Sequence, residues 1–243
     1  MTRLLLTPDA EHAAQTAASL VDELLDARLR ESDAVHIALA GGTTPRRAYE
    51  LLASLRTDWT GVHLWFGDER MVPLDDDDAN ASMVHQALAV PAQIPASQVH
   101  TIPTDLGPRG ACDAYSVELR RLLPAGTAGI PVLDIALLGL GEDGHTASLF
   151  PGSPALHGAG PLCAVVEDAP KPPPVRITLT MTMLNAARTR IVLATGAGKT
   201  DAVAAAMAMP DPRTPASLLT RDATTWILDA AAASALDEGT RHA

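Results

Sequence analysis

The stretch VHIALAGGTTP, residues 35–45, determines which class of fold this sequence can adopt. Val35–Ala40 is a short, nearly continuous apolar run, which predicts a strand that is covered on both faces. Two glycines follow, and Pro45–Leu55 then has the apolar spacing of a helix with proline in its first turn. A buried strand, a glycine turn and a helix in this order are the repeating unit of a parallel α/β sheet.

The same alternation of apolar strands and amphipathic or Ala-rich helices recurs along the chain. The predicted strands are Arg3–Leu6, Val35–Ala40, Val62–Phe66, Leu133–Leu138, Ile191–Thr195 and Thr224–Leu228. The predicted helices are Ala10–Arg30 (with Thr7-Pro8 as its cap), Pro45–Leu55, Gly110–Leu123, Lys199–Met209 and Asp229–Leu236. This pattern predicts an α/β fold in which helices flank a mostly parallel sheet.

One proline-rich segment, Ala169–Pro174, interrupts this pattern because its four prolines forbid regular structure. The segment is either a linker between two domains or a stiff loop within one domain. Strand-like segments continue on both sides of it, so we interpret it as a loop. We therefore expect residues 1–243 to form a single domain.

The composition restricts the classes of function. The chain has 243 residues, 47% hydrophobic and 19% charged, with a formal net charge of −11. This balance excludes wholesale disorder, and an acidic chain with no basic stripe lacks the features of a nucleic-acid-binding protein. The acidic run Asp75–Asp78 has no neighbouring histidine or calcium-loop glycine and is interpreted as a solvated loop. Lysine is rare, since only Lys171 and Lys199 are present.

The cysteines and the hydropathy pattern bear on the compartment. Cys112 and Cys163 match neither a metal-binding spacing nor a disulfide framework, which favours a reduced intracellular protein. The apolar triplet Leu4–Leu6 is too short for a signal peptide, and no run approaches the length of a membrane span. We therefore expect a cytoplasmic protein without a membrane partner.

Four loops follow predicted strands, and in open α/β sheets ligands bind beyond the carboxyl ends of the strands. In the first loop, Gly41–Thr44, hydroxyl and backbone N–H groups at a helix start favour an anion, although an ordinary glycine turn with a Thr cap also fits. In the second loop, Asp68, Glu69 and Arg70 form a cluster that is costly unless its charges are paired or exposed. A surface ion pair is the alternative there.

The third loop contains Gly139-x-Gly141-x-x-Gly144, the spacing of a dinucleotide-binding fingerprint. We reject that interpretation because Glu142 and Asp143 would repel a pyrophosphate and Pro151 leaves little room for the required helix. The loop also offers a histidine, His145, beside the two carboxylates, which suits a general base that a carboxylate orients. A metal site and an inert loop histidine are the alternatives.

The fourth loop, Gly196–Thr200, imitates the end of a nucleotide-binding P-loop, but Leu193 occupies the position that requires glycine. Lys199 lies in the first turn of a predicted helix, where its charge opposes the helix dipole. This placement is explained if the lysine and the helix start together hold a phosphate. A solvated surface lysine is the alternative.

Taken together, these loops resemble the signatures of the 6-phosphogluconolactonase family, within the wider glucosamine-6-phosphate isomerase group. The matching motifs are Gly41-Gly42-Thr43-Thr44-Pro45, Asp68-Glu69-Arg70-x-Val72-Pro73, the twelve-residue loop Gly141–Gly152, Arg176-Ile177-Thr178 and Gly196-x-x-Lys199. The loop is the most specific of these motifs, and the order and separation of the motifs cover nearly the whole chain. One departure is Ala79-Asn80, where the family usually has Ser-Asn, so one serine contact is lost.

The resemblance implies a Rossmann-like three-layer sandwich that hydrolyses 6-phospho-D-glucono-1,5-lactone without a metal or an organic cofactor. His145 matches the general base of the family, with Asp143 as the first choice and Glu142 as the second choice to orient it. The implied substrate-binding residues are Gly41, Gly42, Thr43, Thr44, Asp68, Arg70, Asn80, Arg176 and Lys199. Asp68 is expected to contact sugar hydroxyls or to pair with Arg70. We expect a monomer whose partner is a small sugar-phosphate lactone.

The nearest alternative is a glucosamine-6-phosphate deaminase/isomerase, which shares the phosphate turn, Asp68, Asp143, His145 and Lys199. That family typically follows its Asp-Gly-His with Ile-Ala-Phe-Asn-Glu, whereas residues 146–150 here are Thr-Ala-Ser-Leu-Phe and contain no carboxylate. Arg70 also replaces the usual tyrosine. A non-catalytic sugar-phosphate sensor is disfavoured because 243 residues leave no obvious room for a DNA-binding domain.

Overall fold

The structure is a computed structural model that describes residues 3–156, 162–237 and 239. Its strands are β1 Arg3–Thr7, β2 Val35–Leu39, β3 Val62–Phe66, β4 Asp68–Arg70, β5 Ile135–Gly139, β6 Cys163–Val166, β7 Arg176–Leu179, β8 Thr189–Ala194 and β9 Thr224–Asp229. Its α-helices are α1 Ala10–Leu29, α2 Thr43–Leu55, α3 Asn80–Val84, α4 Gly107–Leu122, α5 Met181–Ala186 and α6 Thr200–Met207. A π-helical turn, His85–Ala89, continues α3.

Six strands form one sheet in the order β1-β9-β8-β5-β2-β3, and every neighbouring pair in it is parallel. The predicted α/β fold with a mostly parallel sheet flanked by helices is therefore confirmed. From β2 the chain continues outward to β3, and from β5 it continues the other way to β8 and β9. The order of the strands thus reverses between β2 and β5, which is where open α/β sheets form a ligand-binding crevice.

The core explains how a chain with 3% aromatic residues buries a continuous interior. Helix α1 presents Ala13, Ala14 and Ala17 to the core with no exposed surface. Small side chains let the helix approach the sheet closely, and the apolar side chains of the strands fill the remaining volume. Strand β2 is buried along its whole length, as its apolar run predicted.

A second sheet has three short strands in the order β4-β7-β6, and both of its pairs are antiparallel. The sequence did not predict this sheet. Its strands have three or four residues, and β4 consists of Asp68, Glu69 and Arg70, so no apolar period identifies it. The register places Arg70 opposite Arg176, which brings two cations from distant parts of the sequence together.

Three predictions about helices were wrong: the residues of one form turns, a second has a different cap, and a third is shorter. Residues 230–235 form turns instead of the predicted helix Asp229–Leu236. Asp229 remains the last residue of β9, and its carboxylate accepts hydrogen bonds from the N–H groups of Gly196 and Ala232. Asp9, not Thr7, caps α1 by accepting a bond from His12 N at 2.9 Å. Lys199 ends a 3₁₀ turn, so the predicted helix Lys199–Met209 shortens to α6.

Candidate functional site

The loops after β2, β5 and β8 meet at the carboxyl edge of the sheet and enclose a cleft of about 290 Å³. The loop after β5 lies in the middle because β5 lies between β2 and β8. The cleft is lined by these predicted site residues: Gly41, Gly42, Asp68, Arg70, Asn80, Glu142, His145, Arg176 and Lys199. It is also lined by Ala147, Phe150, Lys171 and Pro172, which were not predicted. The structure therefore brings together most of the site residues that were predicted from the sequence.

Asp143 and His145 form a tight pair at the edge of the cleft. His145 Nδ1 lies 2.5 Å from Asp143 Oδ1, and His145 N lies 3.2 Å from the same oxygen. A carboxylate accepts hydrogen bonds, so Nδ1 carries a proton, and in the neutral imidazole the lone pair is therefore on Nε2. The side chain of His145 is 24% exposed and that of Asp143 is 41% exposed. Burial alone would raise the pKa of Asp143, but the hydrogen bonds and charge of His145 hold it below its usual value.

The Asp143–His145 pair explains why Gly141 is glycine. A Cβ at Gly141 would lie 2.0 Å from His145 Nδ1 and 2.6 Å from Asp143 Oδ1, distances at which the pair could not stay in place. On its other side the His145 ring contacts Phe150, with ring centroids 4.5 Å apart. The histidine is thus held between a hydrogen bond, a bare backbone and an aromatic ring.

Glu142 has a different position from the one expected of an orienting carboxylate. A Cβ on Gly198 would lie 3.2 Å from Glu142 Oε1, so this carboxylate lies against the turn after β8. Burial lowers the pKa of Lys199, and the charge of Glu142 opposes this shift. The structure therefore assigns the contact with His145 to Asp143, the first choice, and places Glu142 next to Lys199.

Asp68 is 6% exposed and lies in a hydrogen-bond network at the floor of the cleft. Ser148 Oγ donates to Asp68 Oδ2 at 2.5 Å, and Asn80 Nδ2 donates to Asp68 Oδ1 at 3.2 Å and to its carbonyl at 2.8 Å. Asp68 is thus bound to Ser148 and Asn80, and it forms no ion pair with Arg70 among the described residues; its contact with sugar hydroxyls stays a prediction. Gly41 packs closely on this network, since a Cβ there would lie 1.9 Å from Asn80 Oδ1.

Glu69 lies behind the cleft and holds α3 in place. Its buried carboxylate accepts hydrogen bonds from the N–H groups of Asn80 and Ala81, each at 2.7 Å, and from that of Arg70 at 2.8 Å. Burial raises the pKa of Glu69 to about 7, while these three bonds oppose the rise. Ala79, at the N-cap of α3, has no side-chain oxygen to accept hydrogen bonds from the first N–H groups of the helix. The Glu69 carboxylate accepts them instead, so α3 does not need a serine at position 79.

Two arginines enter the cleft from the antiparallel sheet. Arg70 Nη1 donates to the carbonyl of Asp78 at 2.5 Å, and the buried Nε of Arg70 has no hydrogen-bond partner among the described residues. Burial lowers the pKa of Arg176, and the neighbouring charge of Arg70 lowers it further. Like charges on directly opposed strand residues destabilise a sheet, which is understandable if the pair faces an anion.

Arg176 also fixes the proline-rich loop. Its Nε donates to the carbonyl of Pro173 at 3.0 Å, and its Nη2 donates to the carbonyl of Lys171 at 2.9 Å. The guanidinium stands over the ring of Phe150 at 5.9 Å from the centroid. Only Nη1 is left without a bond among the described contacts, so most of this guanidinium is committed to the loop.

The turn after β8 presents Lys199 to the cleft. Gly196 has a φ of +91°, a conformation that favours glycine, and its N–H is held by both carboxylate oxygens of Asp229 at 3.0 Å. Thr195 Oγ1 lies 3.1 Å from Thr44 Oγ1, which ties this turn to the one after β2. Thr44 is therefore a link between the two turns, and Thr43 is an exposed residue in the first turn of α2.

The sequence missed several residues that shape the site. Ser148 lies in the signature loop, but nothing in its neighbours indicated that it would reach Asp68. Lys171 carried one usable signal, its rarity, because only two lysines occur in the chain. The described residues contain no group of three or more His, Cys, Asp or Glu side chains able to hold a metal ion. No helix among the described residues is long and apolar enough to cross a membrane.

The fold and the cleft define a parallel α/β protein with a cation-lined site at the topological switch point. The family model "Glucosamine-6-phosphate isomerases/6-phosphogluconolactonase" matches residues 8–227, and the chain belongs to this family. Over 237 residues the chain is 36% identical to the 6-phosphogluconolactonase of Mycobacterium tuberculosis, covering 94% of this chain and 96% of that protein.

Two further similarities agree with this membership. The chain is 36% identical over 150 residues to the 6-phosphogluconolactonase of Nostoc, covering 61% of this chain and 62% of the relative. The aligned part is thus less than two thirds of the length of the Nostoc protein. The solved 6-phosphogluconolactonase of Trypanosoma brucei superposes with a TM-score of 0.88 at 29% identity, covering 98% of this chain and all (100%) of that chain.

Proposed function

We propose that this protein hydrolyses 6-phospho-D-glucono-1,5-lactone to 6-phospho-D-gluconate, the second step of the oxidative pentose phosphate pathway. The observation that carries the proposal is the Asp143–His145 pair, 2.5 Å apart, at the edge of a cleft that gathers cations. A histidine whose Nδ1 is held by a carboxylate is a general base at Nε2, which is what the hydrolysis of an ester requires. The names of the family and of the aligned relatives support the substrate class.

In the proposed mechanism a water molecule attacks C1 of the lactone while His145 Nε2 accepts its proton. C1 becomes tetrahedral and the former carbonyl oxygen becomes an oxyanion. Asp143 stabilises the imidazolium that His145 forms when it accepts the proton. When the bond between C1 and the ring oxygen breaks, that oxygen takes the proton back from Nε2 and becomes a hydroxyl group. The new carboxylic acid then ionises and releases one proton to solvent.

The remaining predicted residues bind the substrate in this proposal. Arg70, Arg176 and Lys199 supply positive charge for the phosphate and for the developing oxyanion, together with the turn Gly41–Thr44. Asp68 and Asn80 face the sugar hydroxyls from the floor of the cleft. Glu142 has a secondary role in this proposal, because its charge opposes the lowering of the Lys199 pKa by burial without forming an ion pair with that lysine.

The alternative, a glucosamine-6-phosphate deaminase/isomerase, needs a further carboxylate after the Asp-Gly-His motif. The corresponding segment here contains Ser148, whose hydroxyl donates a hydrogen bond to Asp68, and Phe150, which packs on His145. This arrangement favours the lactonase because one oriented histidine and a water molecule suffice for lactone hydrolysis.

The function is tested by following acid release from freshly made 6-phosphogluconolactone, with and without enzyme, and ammonium release from glucosamine 6-phosphate. We expect lactone decay well above the spontaneous rate, no ammonium, and the same rate after treatment with a chelator. We include the chelator because the described residues contain no group of three or more His, Cys, Asp or Glu side chains that could hold a metal ion. Ammonium release without lactonase activity, or a chelator-sensitive rate that a divalent ion restores, would contradict the proposal.

We further propose a cytoplasmic monomer that uses neither a cofactor nor a nucleic-acid partner, in one domain. The net charge of −11 supports the absence of nucleic acid. In the described residues the large exposed apolar side chains are scattered over separate elements: Leu6, Leu55, Val90, Leu106, Val117 and Met209. Light scattering should therefore give the chain mass of 25.3 kDa, and a dimer mass would refute this.

A further inference from the structure

We propose that Lys171, in the proline-rich loop, is a substrate-binding residue that joins Lys199 in holding the phosphate group of the substrate. This inference rests on the proposed function for the identity of the substrate. In this proposal the proline-rich loop holds a fourth cation, Lys171, in addition to Arg70, Arg176 and Lys199, which the sequence motifs identified.

The first argument is the position of Lys171. It lies in the segment between β6 and β7, and it lines the same cleft as His145 and Lys199. The two lysines come from different elements, since Lys199 follows β8. They are also the only two lysines of the chain, so both members of the rarest basic residue type lie at this one cleft.

The second argument is that the backbone of Lys171 is fixed. Arg176 Nη2 donates to the carbonyl of Lys171 at 2.9 Å and contacts that of Pro172 at 3.4 Å. The N–H of Ala169 donates to the carbonyl of Pro174 at 3.0 Å, which closes the loop at its base. Proline also removes backbone freedom, so little entropy is lost when the loop meets a ligand. Arg176 therefore acts on the substrate partly by positioning Lys171.

The third argument is electrostatic. Both lysines make backbone hydrogen bonds, but among the described residues neither ammonium group has a hydrogen bond or an ion pair within 4.0 Å, although Glu142 acts on Lys199 at longer range. Burial lowers the pKa of Lys199, the charges of Glu142 and Asp143 oppose this shift, and the charge of Lys171 adds to it, so the two ammonium groups repel each other. Two unpaired cations that repel each other across a cleft are stabilised by an anion between them. A phosphate monoester, with a charge of about −1.5 to −2 at pH 7, fits this requirement.

The experiment compares the wild type with Lys171→Ala, Lys171→Arg and the charge-matched control Arg30→Ala. Arg30 is an exposed residue directly after α1, and the chain enters β2 soon after it, so it lies at the opposite edge of the sheet from the cleft. Two quantities are measured: KM and kcat for the phosphorylated lactone, and the Kd of inorganic phosphate by calorimetric titration. Circular dichroism checks that each variant is folded.

For Lys171→Ala we expect KM and the phosphate Kd to rise roughly tenfold, since one charged contact to the anion is lost, with kcat within twofold of the wild type. Lys171→Arg should retain most of the binding, and Arg30→Ala should match the wild type. A phosphate Kd within twofold of the wild type, or a fall in kcat with unchanged Kd, would overturn the proposal. If the wild type binds phosphate but does not hydrolyse the lactone, the proposed function fails while the Kd series still tests Lys171.

Discussion

Asp143 and His145 are two positions apart in the sequence, which lets their side chains meet within a single turn. Gly144 lies between them with a φ of +82°, and the N–H of Gly141 bonds the carbonyl of His145 at 2.8 Å to close the turn. A short segment of sequence thus determines the geometry of the proposed base, with little dependence on the rest of the fold. This is why sequence analysis could identify the pair.

Replacement of Asp143 by asparagine tests the pairing directly. Asparagine keeps the size of the side chain, but it carries no charge to stabilise the imidazolium and does not impose the tautomer with a proton on Nδ1. We expect kcat to fall by roughly 10²- to 10⁴-fold, with KM changed much less. Initial rates of lactone decay measure this effect.

The matched control for this variant is Asp58→Asn, an exposed carboxylate that precedes β3 at the far edge of the sheet. It removes the same charge and should leave the rate unchanged. If Asp143→Asn retains a kcat within threefold of the wild type, Asp143 does not orient the base.

Other residues of the site could not be assigned from sequence, since their contacts are long-range. Ser148 meets Asp68 across 80 positions of the chain. The motif with Arg176 indicated an anion, but not that most of its guanidinium would bind carbonyls of the proline-rich loop. Local patterns identify the type of charge at a site, whereas the partners of each charge depend on how the strands are ordered.

At the scale of elements, the long buried strands were predictable and the short ones were not. The nearly continuous apolar run Val35–Ala40 predicted β2, and all five residues of the observed strand are buried. Strand β4, with three charged residues, exists because β7 pairs with it, and no local pattern encodes that pairing. The predicted helix at Asp229 was wrong: the carboxylate of Asp229 accepts a bond from Ala232 N, as a helix cap does, and also one from the distant Gly196, but the residues after it form turns.

Strands β2 and β3 carry a histidine cluster that makes stability depend on pH. His36 Nδ1 accepts a hydrogen bond from Trp65 Nε1 at 3.1 Å, and the ring of His63 lies beside it with centroids 5.1 Å apart. Burial lowers the pKa of His36 to about 4, and the charges of His63 and His100 add to the effect against that of Asp134. The folded protein therefore holds His36 neutral at a pH where the unfolded chain protonates it.

The sign of this effect follows from which state binds the proton. Between pH 6.5 and about 4 the unfolded state binds more protons at His36, so the free energy of unfolding decreases as the pH falls. We expect His36 to account for a loss of about 2 kcal/mol between pH 7 and pH 5. Urea unfolding at the two pH values measures it.

The variant His36→Asn keeps an acceptor for Trp65 but cannot titrate, so it should lose less stability between pH 7 and pH 5 than the wild type does. His85→Asn, at an exposed histidine after α3, should keep the wild-type dependence. Equal pH dependence in the wild type and His36→Asn would show that His36 does not contribute.

At the scale of the whole molecule, an acidic protein is proposed to bind a phosphate dianion. The net charge of −11 opposes such a ligand at long range, but within the cleft the strand order gathers Arg70, Arg176, Lys171 and Lys199. A cleft with low-dielectric walls is governed by its nearest charges, and salt screens the more distant ones. Fold topology, more than composition, therefore sets the charge that the substrate meets.

The most direct test of the account is the decay of freshly made 6-phosphogluconolactone with wild-type protein and with His145→Ala, side by side. We predict that the wild type accelerates the decay far above the spontaneous rate and that His145→Ala loses roughly 10³-fold in kcat while its circular dichroism spectrum is unchanged. A folded His145→Ala variant with a near-normal rate, or a wild type that does not accelerate the decay, would contradict it.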